Sequence, residues 1–427
     1  MRKAIVVGTG AGGATVAREL QGNFDVTMLE AGSEFRPFSL SLPIIGQLKR
    51  TGLLRDERAI RFLFPAMNVG RTRERMVLVK GIGVGGTTTI ATGNGIRADK
   101  ALKEIGINLD PEFAALESEV PVSTAHQRWW RPATIRLFEI CQEMNLAPLP
   151  MPKMGDMQRC INCGHCVLGC PRGAKWDSRR FVDSARAAGA TLVTGSPVER
   201  VVFSGSRALG VIVRKGLRKR FIRADLVVLA AGGFGTPVIL ENSGVECEKR
   251  LFVDPVLCVA ANWRGAMQNK DISMPFVVQR DGFIISPYFD YLSFFFNRDW
   301  RFPADDTLGL MVKIADDPSG SVSGTRVEKV LTEQDTDRLN TGVDVCRDIF
   351  ERLGVRRQDL ILGTKNAGHP GGMLPLTRRE AETFHNQSLP ENLYIADATL
   401  FPTSPGNPPI LTIMAMAKRV GSICSRN

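Results

Sequence analysis

The 427-residue sequence has no run of apolar residues as long as the roughly 18 that a membrane-spanning helix needs. It also lacks internal repeats, low-complexity tracts and any basic helix or aromatic and basic pattern typical of RNA binding, so nucleic acid is not an expected partner. The chain begins MRKAIVVGTGAGG and enters a predicted strand at once, which leaves no room for a signal peptide. We therefore expect a cytoplasmic protein of two or three globular lobes.

Histidine is scarce, with 4 residues, and the cysteine count of 9 is odd. In a chain of intracellular character this count does not predict a disulfide framework. Four cysteines lie close together between residues 160 and 170. The other five are scattered and are interpreted as buried small apolar residues; they are Cys141, Cys247, Cys258, Cys346 and Cys424.

Basic residues exceed acidic ones, 55 against 44, which gives a formal net charge of +11. Much of the excess lies in KRTGLLRDERAIRF, RTRER and RKGLRKRFIR. Two interpretations are open. These stretches are either ordinary solvated surface or a basic face for an acidic partner, such as a small electron carrier or a phosphorylated substrate.

The N-terminus carries a dinucleotide-binding pattern. KAIVVGTGAGGATVAREL reads as a strand, a glycine turn and a helix, with Gly8, Gly10 and Gly13 in a G-x-G-x-x-G spacing. These glycines permit the turn, the approach of the backbone to a pyrophosphate, and the packing of the helix on the strand. The next strand ends at Glu30, where an acid is expected to bind a ribose hydroxyl. The alternative is a glycine-rich turn without a ligand.

A second buried strand followed by a glycine turn appears much later, in ADLVVLAAGGFGTPVILENSG. A nucleotide-binding domain assembled from distant segments fits FAD better than a compact NAD unit. The sequence therefore predicts an α/β fold with a discontinuous, Rossmann-like FAD-binding domain.

Further motifs at both ends and in the middle of the chain resemble the glucose-methanol-choline (GMC) oxidoreductases, a family of flavoenzymes. KGIGVGGTTTIATGNGIR resembles the family's second glycine motif, which lies along the pyrophosphate and the flavin. Its matching residues are Gly83, Gly85, Gly86 and Thr87. ERVVFSGSRALGVIV resembles the family's paired strands near the adenine, which implies a backbone contact from Val198. The family often has Asn at the position of Ala91; Asn94 lies nearby.

The C-terminal stretch NLYIADATLFPTSPGNPPILTIMAMAKRVG resembles the family's closing motif nearly throughout. The resemblance implies that Asp397 bonds the ribityl chain of the flavin. It also implies a helix that starts at Pro408, a favoured residue of a first helical turn. The N-terminus of that helix would face the flavin and stabilise its reduced anion through the helix dipole.

Two residues carry the chemistry by this resemblance. NAGHPGGML supplies His369 and SPGNPP supplies Asn407, a pairing similar to that of the cholesterol-oxidase-like branch of the family. A histidine titrates near neutrality and can accept or relay the hydroxyl proton of an alcohol. An asparagine can orient the hydroxyl without titrating. The alternatives are that His369 is a loop histidine whose hydrogen bonds are satisfied and that Asn407 is only a turn residue before proline.

The stretch CINCGHCVLGCPRGAKW places four cysteines in the spacing C-x2-C-x2-C-x3-C-P, as in bacterial ferredoxins. They are Cys160, Cys163, Cys166 and Cys170. An iron–sulfur cluster has two alternatives. One is a zinc site, although zinc usually takes two separated C-x2-C pairs. The other is that the thiols are free or form a redox pair. The iron–sulfur GMC dehydrogenases have a similar loop ending in Cys-Pro-x-Gly-Ala, which supports a cluster. Four thiolates favour a 4Fe-4S over a 3Fe-4S cluster, with the fourth ligand open.

The predicted FAD-binding domain comprises residues 1–120, 186–250 and 391–427. A cysteine-rich iron–sulfur insertion covers residues 121–185. Residues 251–390 form an α+β substrate domain, in which the family places an antiparallel sheet. Its aromatic stretch DGFIISPYFDYLSFFFNRDW has strand-like character. If part of that stretch lines the pocket, the substrate is large and apolar.

The resemblance implies a dehydrogenase that oxidises a CH–OH group. Hydride would go to the flavin, and single electrons would leave through the cluster to a protein carrier such as an acidic ferredoxin. Two alternatives stay open. One is a flavin reductase that saturates a C=C bond with electrons arriving through the cluster. The other is a non-catalytic electron-transfer subunit that keeps the family motifs only as scaffold.

Overall fold

The structure, a computed structural model, describes residues 1–52 and 54–426. Its α-helices are α1 (Ala11–Glu19), α2 (Leu42–Arg50), α3 (Ile60–Leu63), α4 (Lys100–Glu104), α5 (Asp110–Glu119), α6 (Pro132–Glu143), α7 (Arg179–Ala187), α8 (Gly232–Asn242), α9 (Tyr291–Phe296), α10 (Glu333–Arg352) and α11 (Ile410–Arg426). None of the described helices is long and apolar enough to cross a membrane.

The strands are short, and most lie in three sheets. They are β1 (Arg2–Val7), β2 (Phe24–Leu29), β3 (Met67–Arg71), β4 (Val77–Gly81), β5 (Val122–Ser123), β6 (Leu149–Pro150), β7 (Lys153–Met154), β8 (Thr191–Val193), β9 (Val198–Ser204), β10 (Arg207–Lys215), β11 (Arg218–Arg223), β12 (Leu226–Leu229), β13 (Val256–Asn262), β14 (Phe276–Arg280), β15 (Phe283–Pro287), β16 (Thr307–Ile314), β17 (Ser321–Ser323), β18 (Arg326–Glu328), β19 (Ile361–Leu362), β20 (Asn366–Ala367) and β21 (Leu393–Ile395).

A parallel sheet in the order β21–β12–β1–β2–β8 organises the nucleotide-binding half. In the centre, Ile5 of β1 pairs with Val227 of β12 on one side and Thr27 of β2 on the other. The central strands read as continuous apolar runs because helices cover the sheet. Strands from the start, the middle and the end of the chain meet here, as the sequence predicts for a discontinuous FAD-binding domain.

A small antiparallel sheet, β9–β10–β11, follows β8 and precedes β12. Its inward residues Val201, Val211 and Val213 join the buried core of the parallel sheet. Its outer residues on β11 are mostly charged and exposed. The sheet places Val198, at the start of β9, over the nucleotide-binding half.

The substrate half is built on a mixed sheet in the order β3–β4–β20–β13–β16–β15–β14–β6, with β19 also paired to β13. Its strands pair antiparallel except β20 and β4, which are parallel. Helix α10, which begins with a capping box formed by Thr332 and Asp335, packs on this sheet. A Cβ on Gly342 would lie 2.3 Å from Val312, so the helix approaches the sheet at a glycine.

The aromatic stretch is only partly a strand. Residues Phe283–Pro287 form β15, but Tyr291–Phe296 form the short helix α9, which Asp290 caps by accepting hydrogen bonds from the N–H groups of Leu292 and Ser293. The cap explains the change from strand to helix, because the Asp290 carboxylate accepts hydrogen bonds from N–H groups of the first helical turn that have no partner within the helix. The fold-class prediction of an FAD-binding α/β domain with an α+β substrate domain is confirmed. The domain boundaries stay a prediction.

Candidate active site

The glycine turn after β1 has the geometry that its spacing predicts. A Cβ on Gly13 would lie 2.0 Å from the carbonyl oxygen of Gly8, so only glycine lets α1 pack this closely on the turn. At Gly10 the corresponding space is open. The turn therefore presents bare backbone toward the adjoining cavity, and the N-terminus of α1 offers N–H groups there.

Glu30 ties this turn to the second glycine motif. Its Oε2 accepts hydrogen bonds from the backbone N–H and the hydroxyl of Thr9, at 3.2 and 2.7 Å. Its Oε1 accepts from the N–H groups of Gly32 and Gly83, at 2.9 and 3.2 Å. The carboxylate thus joins three chain segments at the end of β2 while its residue lines the cavity beside them.

The second glycine motif approaches the first at bare backbone. A Cβ on Gly86 would lie 3.0 Å from the Cα of Gly10, and the N–H of Gly85 donates to the hydroxyl of Thr9 at 3.1 Å. The following 3-10 turn, Gly86–Ile90, is held by Lys175. The Nζ of Lys175 donates to the carbonyls at positions 88, 89 and 91, at 2.9, 2.8 and 2.7 Å.

These motifs enclose a first cavity of about 380 Å³. It extends from the glycine turn past the start of β9 to the N-terminal end of α11, where Pro409, Ile410 and Ile413 line it. The helix begins at Ile410, two residues after the predicted start at Pro408. The residues of the sequence prediction that line it are Gly8, Gly10, Glu30, Gly86, Thr87, Val198, His369 and Asp397. Gly13, Gly83, Gly85 and Pro408 do not line it; they support the turns and helix that do.

Asp397 is held tightly by its own chain. Its Oδ2 accepts from the N–H of Gly232 at 2.9 Å and from the hydroxyl of Thr236 at 2.5 Å, and its Oδ1 accepts from the N–H and hydroxyl of Thr399. Burial raises the pKa of Asp397, against the lowering effect of these hydrogen bonds. Asp397 therefore fixes the approach of α8 to the C-terminal motif at the cavity wall.

A second cavity, of about 170 Å³, adjoins the first. Its wall is largely apolar, with side chains from α3, β3, β16 and α9, and it contains a small polar group around His369. Five residues line both cavities: Val79, Thr87, Gly368, His369 and Ile410. His369 thus lies at the junction of the two cavities.

His369 belongs to a compact group with Lys313 and Asp254. The Nδ1 of His369 lies 3.0 Å from the Nζ of Lys313 and 3.1 Å from the Oδ2 of Asp254. The same Nζ and Oδ2 form an ion pair at 2.8 Å. The hydroxyl of Ser404 donates to the other oxygen of Asp254. Both ring contacts are made by Nδ1, and the Nε2 of His369 has no hydrogen-bond partner among the described residues.

Charge and burial act together in this group. Burial lowers the pKa of His369, the charge of Lys313 lowers it further, and Asp254 opposes both. Burial alone would raise the pKa of Asp254, but Lys313 and His369 lower it overall. Burial also lowers the pKa of Lys313, against the raising effect of Asp254. The group therefore favours a neutral imidazole beside an ionised carboxylate.

Asn407 is not joined to His369. Its Nδ2 faces the Oε1 of Gln279 at 3.4 Å, and its Oδ1 is buried without a partner among the described residues. Asn407 lines neither cavity, whereas its neighbour Pro408 lines the second one. The buried, unpartnered oxygen leaves Asn407 with an unused acceptor close to the second cavity.

The four clustered cysteines line one further cavity, the cysteine cavity. Thr92 lines both this cavity and the second cavity, so the two adjoin. All four thiols are free and half-buried. In the part of the chain that the structure describes, no three His, Cys, Asp or Glu side chains are gathered closely enough to hold a single metal ion.

Two buried lysines face this cavity. Lys153 donates to the Oδ1 of Asn94 and to the carbonyl of Ser273, both at 2.5 Å, and Lys175 donates to the three carbonyls given above. Within the described residues, neither lysine forms a salt bridge. Burial lowers the pKa of Lys153 to about 7, against the raising effect of Cys166 and Cys160. Burial lowers the pKa of Lys175 to about 8, against the raising effect of Asp177 first and then of Cys166 and Cys170.

A family model described as GMC oxidoreductase matches residues 2–262, more than half of the chain. The chain belongs to the GMC oxidoreductase family. It is an FAD-dependent oxidoreductase. An uncharacterised protein of Methanocaldococcus jannaschii is 25% identical over 422 residues, 97% of each chain.

Two characterised proteins show the reach of this likeness. The long-chain-alcohol oxidase of Arabidopsis thaliana is 22% identical over 362 residues, 65% of this chain and 47% of that protein. The crystal structure of pyridoxine 4-oxidase from Mesorbium loti matches with a TM-score of 0.73 over 99% of both chains, at 16% identity. The structural likeness supports the GMC fold.

The first cavity of this GMC protein fits an extended dinucleotide. It combines bare glycine backbone at Gly10, an acid at the end of β2 and the N-terminus of α11 along one continuous wall. Pyrophosphate needs close backbone approach and N–H donors, and the glycine turn offers both. The wall also contains Lys80, which the sequence interpretation did not name and whose pKa burial lowers.

A backbone N–H group and two lysines lie beside the cysteine cavity. The N–H of Lys175 lies 3.5 Å from the Sγ of Cys170. Burial raises the pKa of Cys160 to about 11 and also raises the pKa of Cys163, against the lowering effect of the backbone N–H groups of Asn162 and His165. Such bonds to sulfur stabilise thiolates and tune iron–sulfur clusters. Lys153 and Lys175 add positive charge beside the sulfurs only in their protonated forms, which burial disfavours.

Sequence motifs did not reveal Lys313, Asp254 or Lys153. Each lies outside a glycine or cysteine pattern, and each matters here because the fold brings it to a cavity. Lys313 was visible as a lone cation in the otherwise apolar strand TLGLMVKI. Burying a charge within such a strand is costly, and this cost is the one sequence signal that marks Lys313 as a candidate functional residue.

Proposed function

We propose that this GMC oxidoreductase is a dehydrogenase that oxidises a CH–OH group, with His369 handling the hydroxyl proton. The observation that carries the proposal is that His369 lines both the first and the second cavity. A proton acceptor for alcohol oxidation must lie between the cofactor and the substrate, within hydrogen-bond reach of the hydroxyl. The open Nε2 of His369 meets that requirement.

FAD would lie in the first cavity. Gly8, Gly10 and the N-terminus of α1 would hold its pyrophosphate, Glu30 its ribose, and the backbone at Val198 its adenine end. Bound FAD supplies a two-electron, hydride-accepting centre. The first turn of α11 would place its free N–H groups and positive dipole end at the flavin. Asp397 would keep that wall in place and bond the ribityl chain.

The substrate would lie in the second cavity. The wall is mainly apolar, with Phe295, Met311 and Leu168 among its residues, so the best substrate is an alcohol with a sizeable apolar body. The long-chain-alcohol oxidase among the relatives supports this class. Asn407 would orient the hydroxyl through its unpartnered oxygen after a small shift of the Gly406–Pro408 turn.

The cysteine cavity would hold an iron–sulfur cluster, of the 4Fe-4S rather than the 3Fe-4S type. Its ligands would be Cys160, Cys163, Cys166 and Cys170. A bound cluster passes electrons one at a time. Lys153 and Lys175 would stabilise its negative charge from the buried side, since four thiolates outweigh the charge of the iron core. The cavity adjoins the second cavity at Thr92, close to where the reaction takes place.

An acidic one-electron carrier such as a ferredoxin would take the electrons. Around the cysteine loop Arg159, Arg172 and Arg180 are exposed, together with the apolar Ile161 at 54%. A basic rim with an apolar centre suits an acidic protein partner. The cytoplasmic location stays a prediction.

The test of the catalytic assignment uses the FAD-loaded protein, kept free of oxygen, and a panel of straight-chain and ring alcohols. An active alcohol bleaches the flavin absorbance. H369A is expected to slow bleaching at least about 100-fold while keeping its FAD. H385Q, altered at a histidine that contacts the carbonyl of Pro390 away from both cavities, is the matched control. Unchanged bleaching in H369A would reject the proposal.

The test of the cluster is chemical and spectroscopic. Protein prepared without oxygen should contain iron and acid-labile sulfide and give a paramagnetic signal after reduction. C160S and C163S should lower the iron content, whereas C247S, altered at a scattered half-buried cysteine, should not. Absence of iron in the wild-type protein would reject the cluster but leave the alcohol oxidation testable.

A further inference from the structure

The contact between Lys313 and His369 decides which ring nitrogen faces the substrate. The Nδ1 of His369 has two possible partners, the Nζ of Lys313 at 3.0 Å and the Oδ2 of Asp254 at 3.1 Å. An ammonium group only donates and a carboxylate only accepts. The ring therefore takes one tautomer or the other according to which partner Nδ1 engages.

When Lys313 is an ammonium group, it donates to Nδ1, and the proton of the neutral ring lies on Nε2. When Lys313 is a neutral amine, Nδ1 carries the proton and donates it to Asp254, and Nε2 has a free lone pair. Only the second state can accept a hydroxyl proton. The burial of Lys313, with 2% of its side chain exposed, makes the neutral amine accessible, because burial disfavours the charged form.

We propose that Lys313 is a positioning residue that stores the substrate's hydroxyl proton behind His369. In oxidation the O–H bond of the alcohol breaks and an Nε2–H bond forms. The Nδ1–H bond breaks and an Nζ–H bond forms, while the alcohol carbon loses its hydride to FAD and becomes a carbonyl carbon. The inference rests on the proposed function for the identity of the hydroxyl.

Several ionisable groups surround Lys313. Asp254 and His369 contact it directly, and Asp316 acts on it through its charge. Asp316 is itself paired with Lys329 at 2.7 Å. The other ionisable side chains that line the second cavity are Tyr288, Tyr291 and Asp290. Burial raises the pKa values of Tyr288 and Tyr291, so both phenols stay protonated near neutrality. Burial also raises the pKa of Asp290, whose carboxyl oxygens are engaged by the hydrogen bonds of Leu292 and Ser293 that cap α9.

The tautomer of His369 can be read without substrate. We would record long-range proton–nitrogen correlation spectra of FAD-loaded protein labelled with nitrogen-15 histidine, over a series of pH values. H369Q identifies the signals of His369. In the wild-type protein we expect Nε2–H at the lower pH values and Nδ1–H once Lys313 has lost its proton.

Two variants give opposite outcomes. In K313M only Asp254 remains as a partner, so Nδ1–H should persist at every pH at which the ring is neutral. In K313R the guanidinium stays charged, so Nε2–H should persist. His126 is the internal reference: Trp130 Nε1, a pure donor, lies 3.0 Å from its Nδ1, which keeps the proton on Nε2.

A kinetic measurement tests whether the tautomer of His369 controls the rate of alcohol oxidation. Flavin bleaching by an active alcohol should speed up with pH in the wild-type protein, and this rise should be lost in K313M. K313R should be at least tenfold slower than the wild-type protein at the alkaline end. A single tautomer in the wild-type protein at all pH values, or an unchanged switch in K313M, would reject the role of Lys313. Failure of the proposed function is read separately, from H369A.

Discussion

The Nζ of Lys329 lies 2.7 Å from a carboxylate oxygen of Asp316, and neither side chain has any solvent exposure. Lys329 also donates to the carbonyls of Leu251 and Asp317, while Asp316 accepts from the N–H groups of Val253 and Asp254. The pair therefore fixes residues 251–254, at the end of which Asp254 has a left-handed φ of 52°.

K329M should strongly destabilise the protein, because it removes the counter-ion of the buried Asp316 and a donor to the carbonyls of Leu251 and Asp317. Loss of one member of a buried pair costs about 3–5 kcal/mol. The measurement is the thermal unfolding midpoint of FAD-loaded protein. R356M, which removes the exposed pair with Asp359, is the control and should leave the midpoint unchanged. Equal midpoints for wild-type and K329M protein would contradict the assignment.

The double variant K329M/D316L separates the cost of burying the two charges from the attraction between them. Replacing both charges by apolar groups of similar size removes the desolvation cost together with the attraction. We expect it to recover part of the stability lost in K329M. It should nevertheless disturb Asp254, because the N–H groups of residues 253 and 254 lose their acceptor. A double variant less stable than K329M alone would show that those N–H bonds matter more than the ion pair.

The nucleotide-binding half was predictable because its signals are local. The turn at Gly8–Gly13, the acid Glu30 and the strand before them lie within one short segment, and local spacing fixes their geometry. The group around Lys313 was not predictable, because it depends on sheet register. Lys313 of β16 pairs with Val256 of β13, two residues after Asp254, and no sequence pattern fixes that register.

Asn407 shows a different limit. Family resemblance gives its residue type and place in the chain, but the position of its side chain depends on the Gly406–Pro408 turn and on Gln279 across from it. In the second half of the aromatic stretch, residue propensity predicts a strand, whereas the cap at Asp290 determines a helix. At this boundary between strand and helix, a specific helix cap outweighs the local strand propensity.

E30Q should release FAD. Both oxygens of Glu30 accept hydrogen bonds from the chain, and an amide turns one of them into a donor that faces other donors. An unmade hydrogen bond at a buried site costs about 1–3 kcal/mol. We expect a lower FAD content after gel filtration and a lower unfolding midpoint. E34Q, an exposed acid four residues on, is the matched control; equal FAD content in the two variants would refute the role of Glu30.

K175M should impair both the FAD site and the proposed cluster site. Lys175 follows the cysteine run, yet its Nζ binds three carbonyls of the second glycine motif. Without it those buried carbonyls lose their donor, and the cysteine loop loses its anchor. We expect FAD content and iron content to fall together in K175M. R180M, which removes an exposed donor to the carbonyl of Gly173, should change neither. Loss of iron alone would mean that Lys175 serves only the cysteine cavity.

His126 should make the protein sensitive to acid. It is buried with its Nε2 2.8 Å from the carbonyl of Met151, and burial lowers its pKa to about 4. The unfolded chain takes up a proton at a pH of about 6.5, so the folded state loses stability as the pH falls from there toward about 4. The full loss is about 3 kcal/mol, from the separation of the two pKa values.

H126Q keeps an acceptor for Trp130 and a donor for Met151 but does not titrate. Its unfolding midpoint should therefore decline less steeply than that of the wild-type protein between pH 6.5 and 4. W130F removes the donor to Nδ1 and lets the ring take a proton more easily. That variant should lose stability beginning at a higher pH than the wild-type protein. Parallel curves for wild-type and H126Q protein would show that His126 contributes nothing to the acid sensitivity.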